Sequence, residues 1–216
     1  MIERNIEARV HGRYLVDGPR GAQAPLLVSF HGYAESADFD FARLQEIPGV
    51  EQWVTVAVQG LHRFYRGRSN DVVASWMTKQ DRELAMSDNV AYTTDVVQSV
   101  SKEWSTGKTL VLSGFSQGVA MAFRCAASLK QPVSGVIALG GDVPPELDAD
   151  MLKRIPGVLI GHGTRDEWYT AEKVASDKRR LAAAGVPVEV CTFEGGHEWT
   201  SEFAAAASRF LAACRR

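Results

Sequence analysis

Thr109-Leu110-Val111-Leu112-Ser113-Gly114-Phe115-Ser116-Gln117-Gly118-Val119-Ala120-Met121-Ala122-Phe123 is the stretch on which the reading of this 216-residue chain turns. Thr109–Ser113 is a short apolar run, the signature of a strand buried on both faces. Val119–Phe123 opens a helix. Between them lies Gly114-Phe115-Ser116-Gln117-Gly118, and a strand that gives way to a helix over so few residues needs a tight turn. Flanking glycines let the backbone make that turn without Cβ clashes, and the turn lifts the serine hydroxyl to a helix N-terminus. The pentapeptide alone is a weak signal, since a chain of this length with 19 Gly supplies about 0.1 such matches by chance. Its setting between strand and helix makes Ser116 the candidate nucleophile in preference to a helix-capping serine.

The same alternation extends outward from this turn. Strand-like runs recur at Leu26–Phe30, Val54–Val58, Val136–Leu139, Val158–Ile160 and Val188–Thr192. Helical spacing fills the intervals. Val90, Val97, Val100 and Trp104 share one side of Ser87–Trp104, and Met121, Cys125 and Leu129 are spaced by four. Ala171–Ala184 stops at Gly185 before Pro187, and His197–Cys214 is Ala-rich with Phe203, Phe210 and Leu211. At the start, Ile6, Ala8 and Val10 alternate with polar residues and Tyr14-Leu15-Val16 follows Gly12, which together predict a hairpin. Strands alternating with helices imply an α/β fold with a mostly parallel sheet and helices on both faces. Residues 1–216 are expected to form a single domain. In such sheets functional groups gather in loops at the carboxyl ends of strands.

Composition bounds the function. Hydrophobic residues are 45% and charged residues 23%, and the net charge of -2 leaves no footprint for nucleic acid. The one dense basic cluster, Lys178-Arg179-Arg180, reads as the solvated face of a helix. No apolar run reaches membrane-span length, and Met1–Glu7 is charged too early for a signal peptide. Three cysteines, Cys125, Cys191 and Cys214, are odd in number and widely spaced, so reduced thiols and a cytoplasmic setting are expected. No stable membrane insertion is expected, and oligomeric state is not readable. Gly107-Lys108-Thr109 mimics the end of a phosphate loop but precedes a strand, and Gly161–Asp166 lacks the third glycine of a dinucleotide fingerprint. His197-Glu198 is not followed by a second zinc-spaced histidine. No cofactor and no metal are therefore expected.

A serine hydroxyl needs a general base, usually a histidine held by a carboxylate. After a strand–serine–helix turn the partners follow in the order acid, then histidine. Only His162 and His197 lie downstream. His197 follows the last strand behind Gly195-Gly196 and is the better base, and His162 is more suited to bracing its loop. Asp166, in the loop after Val158–Ile160, is the leading acid; Asp142 is the runner-up, and the adjacent Glu167 would project differently. Backbone N–H groups must meet the oxyanion that forms on attack. Gln117 supplies one, and Tyr33 in His31-Gly32-Tyr33-Ala34-Glu35 the other.

These motifs carry a resemblance. His31-Gly32, Gly114-Phe115-Ser116-Gln117-Gly118, Gly161-His162-Gly163-Thr164-Arg165-Asp166 and Gly195-Gly196-His197 together resemble the carboxylesterase/phospholipase group of α/β-hydrolases, which includes the acyl-protein thioesterases. The likeness covers Leu26 to the C-terminus. It implies an α/β-hydrolase fold and a Ser116-His197-Asp166 triad acting on a small-molecule ester, with Trp76 near the acyl site. Thioesterase or acyl-transferase chemistry by the same triad is the alternative; a non-catalytic binding module is the other rival, though no triad member is missing. The chain departs from the family at Val119, often Gly, and at Tyr33-Ala34 in place of Gly-containing residues. Trp76, Tyr33 and Trp199 are expected to line the pocket. The long segment Leu61–Asp88 is expected to roof the site. Asp142–Pro156 is short, so only a minimal lid and short to medium acyl groups are expected.

Overall fold

The computed structural model describes residues 1–21 and 23–215. Numbered in chain order, the strands are β1 (Arg13–Asp17), β2 (Leu26–Phe30), β3 (Val54–Gln59), β4 (His62–Tyr65), β5 (Val72–Ser75), β6 (Leu110–Phe115), β7 (Gly135–Leu139), β8 (Val158–Gly163) and β9 (Val188–Phe193). Seven of them form one sheet in the order β1-β3-β2-β6-β7-β8-β9, and β4 and β5 form a separate two-stranded ribbon. Every pairing in the large sheet is parallel except β1 with β3. The helices are α1 (Ala37–Gln45), α2 (Arg82–Trp104), α3 (Gln117–Ser128), α4 (Ala149–Leu152), α5 (Ala171–Ala183) and α6 (Ser201–Cys214).

The period of two along each strand sorts the core into two layers. Leu26, Val28, Phe30, Leu110, Leu112, Val136, Val158 and Ile160 point to one face, where Val97, Val100, Met121, Leu152 and Leu181 of α2 to α5 cover them. Leu27, Val111, Ile137 and Leu159 point to the other, against Leu44 of α1 and Phe203, Ala207 and Leu211 of α6. Both faces of β2, β6 and β7 are therefore dry, which is why their sequences read as unbroken apolar runs. Each fully buried Leu or Phe contributes roughly 1.5–3 kcal/mol, so the sheet is a stiff platform for what its loops carry.

The strand order also places the site. The chain runs from β2 out to β3, then crosses back past β2 to β6. The loops after β2 and β6 consequently part in opposite directions, leaving a crevice at the carboxyl ends of two adjacent central strands.

Three expectations are corrected. No N-terminal hairpin forms: Ile6 and Val10 are exposed, residues 1–12 take no strand, and β1 pairs with β3 instead. The alternation at Ile6–Val10 has no surface to bury against. Helix α2 begins at Arg82, five residues before the expected Ser87. The segment Leu61–Asp88 is not one uninterrupted loop: it contains the β4–β5 ribbon, tied to the loop after β2 by an Ala34 N–H bond to Ala74 O of 3.0 Å. Helix α1 and the short α4 carry no clear apolar periodicity in sequence and went unpredicted. Among the described residues no helix is long and apolar enough to cross a membrane.

Candidate active site

Ser116 sits between β6 and α3 with φ 53° and ψ -119°, a backbone conformation that a residue with a Cβ adopts at a cost of roughly 1–3 kcal/mol. Its own N–H donates to Leu139 O at 2.8 Å and its carbonyl accepts from Val119 N at 3.0 Å, so both sides of the turn are held. The start of α3 closes on the end of β2 so tightly that a Cβ on Gly118 would collide with the Phe30 carbonyl. Only glycine permits this approach. It brings the Gln117 N–H beside the loop after β2.

Asp166 and His197 come from neighbouring loops after β8 and β9, and those loops are stitched by Thr164 N–H to Phe193 O (2.9 Å) and Arg165 N–H to Gly195 O (2.8 Å). Asp166 Oδ2 lies 2.8 Å from His197 Nδ1. Its other oxygen, Oδ1, accepts the N–H groups of Trp168 (2.8 Å) and Tyr169 (2.9 Å). Burial pushes the Asp166 carboxyl up, but the Tyr169 amide, the His197 ring and the Trp168 amide outweigh it and hold it below the usual carboxylate range. An ionised carboxylate only accepts, so Nδ1 carries the ring proton and Nε2 keeps a lone pair. Phe115 packs against the imidazole at 5.0 Å between ring centroids, and Gly140, at φ 66°, passes so close that a Cβ there would lie 2.9 Å from His197 Cε1. The next residue, Gly141, abuts the Ser116 carbonyl. Ser116 and His197 thus flank one glycine corner, although no Ser116–His197 hydrogen bond forms among the described residues. Asp142, the alternative acid, pairs with Lys173 at 3.1 Å instead. His162 is buried against Tyr169, and among the described residues its Nδ1 has no hydrogen-bond partner.

The loop after β2 is braced from within. His31 is fully buried; the Gly60 N–H donates to its Nε2 at 3.0 Å, so Nδ1 bears the proton and donates to Gly32 O at 2.6 Å. Burial lowers the His31 pKa and keeps the ring neutral. Glu35 accepts the Gly32 N–H at 2.8 Å and a two-pronged contact from Arg43 at 2.6 and 2.7 Å. Burial opposes ionisation of Glu35, but the guanidinium prevails and its pKa is lowered. Among the described residues the N–H groups of Tyr33 and Gln117 have no intramolecular acceptor, which leaves both free for a ligand.

Sequence reading missed the Gln117 side chain. Its Oε1 accepts from Ser75 Oγ (3.2 Å) and Trp76 N (3.0 Å), while Nε2 donates to Met77 O (3.1 Å), clamping residues 75–77 against α3. The expected pocket residues lie elsewhere than expected. Trp76 is fully buried behind the site, donating from Nε1 to His31 O at 2.8 Å. Tyr33 is 60% exposed and turns its ring to Phe64. Trp199 packs edge-on against Phe203. None of the three borders the cavity that holds Ser116. That cavity, about 310 Å³, is lined by Met77, Ala120, Arg124, Gly140, Pro144 and Lys173 among others. A larger one of about 460 Å³ lies between α2 and α3, away from Ser116, and shares Arg124 with it.

Three solved structures illustrate the fold's relatives. Esterase PE8 superposes with a TM-score of 0.73 at 22% identity, over 95% of this chain and 100% of that one. The Bacillus cereus carboxylesterase gives 0.73 at 15%, over 94% of each chain. Acyl-protein thioesterase 2 of Zea mays gives 0.73 at 19%, over 94% of this chain and 99% of its own. No curated protein matches the chain in sequence. Residues 13–215 match the phospholipase/carboxylesterase family, nearly the whole chain. With the parallel sheet, the strand-to-helix turn at Ser116 and the loops that converge on it, this chain has the α/β-hydrolase fold and belongs to the phospholipase/carboxylesterase family of hydrolases.

Proposed function

We propose that the chain is a serine esterase that cleaves carboxylic esters of short to medium acyl chains through Ser116, His197 and Asp166. The observation that carries this reading is the 2.8 Å contact between Asp166 and His197 Nδ1, which leaves Nε2 as the basic nitrogen of a ring packed beside Gly140, next to the Gly141 that abuts Ser116. Ser116 Oγ attacks the acyl carbon while His197 Nε2 takes its proton. The carbonyl oxygen becomes an oxyanion that the free N–H groups of Tyr33 and Gln117 stabilise. His197 then protonates the departing alcohol, leaving an acyl-enzyme, and water activated by His197 releases the acid. Asp166 remains ionised throughout and fixes the imidazole tautomer. A cavity of about 310 Å³ beside Ser116 suits small acyl groups.

A fluorophosphonate probe tests the nucleophile: the protein is expected to label, and Ser116→Ala to abolish both labelling and turnover. Labelling that persists in Ser116→Ala refutes the assignment. p-Nitrophenyl esters of graded length test the chain preference, which a preference for long acyl groups contradicts. Parallel assays on thioesters separate ester from thioester hydrolysis.

A further inference from the structure

The cavity beside Ser116 has a charged far end that ester hydrolysis alone does not need. Ala120 and Arg124 share a face of α3 at a spacing of four, Ser116 caps the N-terminus of that helix, and all three line the cavity. Ala120 is small and leaves the middle open. The rise from residue 116 to 124 is roughly 12 Å, and helical side chains lean toward the N-terminus, so the Arg124 guanidinium returns part of that distance toward Ser116.

Arg124 is 5% exposed, which is rare for arginine unless its donors are used. Nε and Nη2 meet a single oxygen, Glu146 Oε1, at 2.7 and 2.6 Å. Among the described residues Nη1 has only the Met77 sulfur, 3.6 Å away, and a thioether is a weak acceptor. A buried guanidinium nitrogen thus borders the cavity with no oxygen to receive its protons. Two further cations line the same space. Arg82 lies 4.0 Å from Glu146, and Lys173 is paired with Asp142 in an exposed contact. Three cations against two carboxylates leave a surplus positive charge, focused by the low-dielectric walls of Met77, Pro144 and Pro145.

We propose that this end of the cavity is an oxyanion-recognition subsite, so that the preferred substrate is an ester bearing a carboxylate or phosphate on its acyl or alcohol part, held by Arg124 Nη1 with Lys173 and Arg82 at the rim. The inference rests on Ser116 being the nucleophile, which sets the reacting end. The spacing fits an anionic group about three to five atoms from the acyl carbon.

The test compares three esters: neutral p-nitrophenyl butyrate, mono-p-nitrophenyl glutarate with its carboxylate on the acyl side, and 3-carboxyphenyl butyrate with its carboxylate on the alcohol side. Arg124→Met is expected to lower kcat/KM for one of the two anionic esters by about 10- to 100-fold, mainly through KM, while p-nitrophenyl butyrate changes by only a few fold. The ester that suffers tells which side of the substrate enters the subsite. Lys173→Met is expected to act in the same direction, more weakly. The double variant Arg124→Met/Glu146→Gln removes both charges together and covers the case in which Glu146, left alone, disturbs the fold. Equal losses on all three esters in these variants, or no loss, overturn the subsite. Calorimetry with glutarate separates the two readings. Glutarate binding that depends on Arg124 in a protein hydrolysing none of the esters would sink the reaction and keep the subsite. Turnover of p-nitrophenyl butyrate with no Arg124-dependent glutarate binding would do the reverse.

Discussion

Replacing Asp166 with asparagine isolates one element of the site because the structure dictates how the new amide must lie. Asp166 Oδ1 accepts two backbone N–H groups, from Trp168 at 2.8 Å and Tyr169 at 2.9 Å, while Oδ2 faces His197 Nδ1 at 2.8 Å. The asparagine oxygen must take the Oδ1 position, since an NH₂ group there would confront two donors. Its NH₂ then points at His197 Nδ1 and can only donate, which forces the ring proton onto Nε2. An Nε2–H imidazole cannot accept the Ser116 proton. The expected loss in kcat is about 10³- to 10⁴-fold, or roughly 4–5.5 kcal/mol in the barrier. Stability should move far less, because the two backbone bonds survive and one neutral hydrogen bond replaces a charged one, a change of about 1–2 kcal/mol. The assay is p-nitrophenyl butyrate turnover beside a thermal melt. An Asp166→Asn protein that keeps a tenth of wild-type kcat would refute the reasoning, as would an activity loss fully matched by unfolding.

Other expectations follow from single contacts. Gly140→Ala places a Cβ 2.9 Å from His197 Cε1 at φ 66°, so kcat should fall more than about tenfold, whereas Gly185→Ala, at φ 74° in open space, should lower only stability by about 1–2 kcal/mol; equal activity in the two variants contradicts this. Gln117→Ala removes three hydrogen bonds to residues 75–77 and should lower stability by about 2–4 kcal/mol, read by urea unfolding, with an unchanged midpoint counting against the clamp. Asp40 of α1 is wholly buried, and burial pushes its carboxyl up to about 7 from 3.8. The folded state therefore holds the proton more tightly than the unfolded chain, and stability falls as pH rises between those values. Asp40→Asn should melt with wild type near pH 4 and progressively above it toward pH 7, by an amount on the order of a few kcal/mol; parallel melting curves across that range would show that Asp40 does not titrate there.

How much was legible depends on how local the cause is. The apolar runs at Leu26–Phe30 and Val136–Leu139 are strands because both faces are buried, a property written in the run itself. The N-terminal alternation at Ile6–Val10 carries an equally local signal and forms nothing: β1 pairs with β3, and Ile6 and Val10 stay exposed beside the open outer edge of β1. Pocket lining was less legible: aromatic character marks Trp76, Tyr33 and Trp199, but which way each ring turns is set by its neighbours. Trp76 turns inward because His31 O offers its indole an acceptor, and Tyr33 turns outward onto Phe64.

The sequence by itself determined the chemistry-bearing residue types and their order: a serine on a glycine-flanked strand-to-helix turn, an acid after the penultimate strand, a histidine after the last. Those follow from chain-local rules of turns, strand ends and periodicity. Only the tertiary structure decided that Asp166 rather than Asp142 meets His197, because that choice depends on two loops being stitched together across β8 and β9. It also decided that Gln117 holds the wall of the site with its side chain and that Arg124 faces the cavity. Both depend on what a long, flexible side chain finds within reach, and reach is a property of the folded neighbourhood.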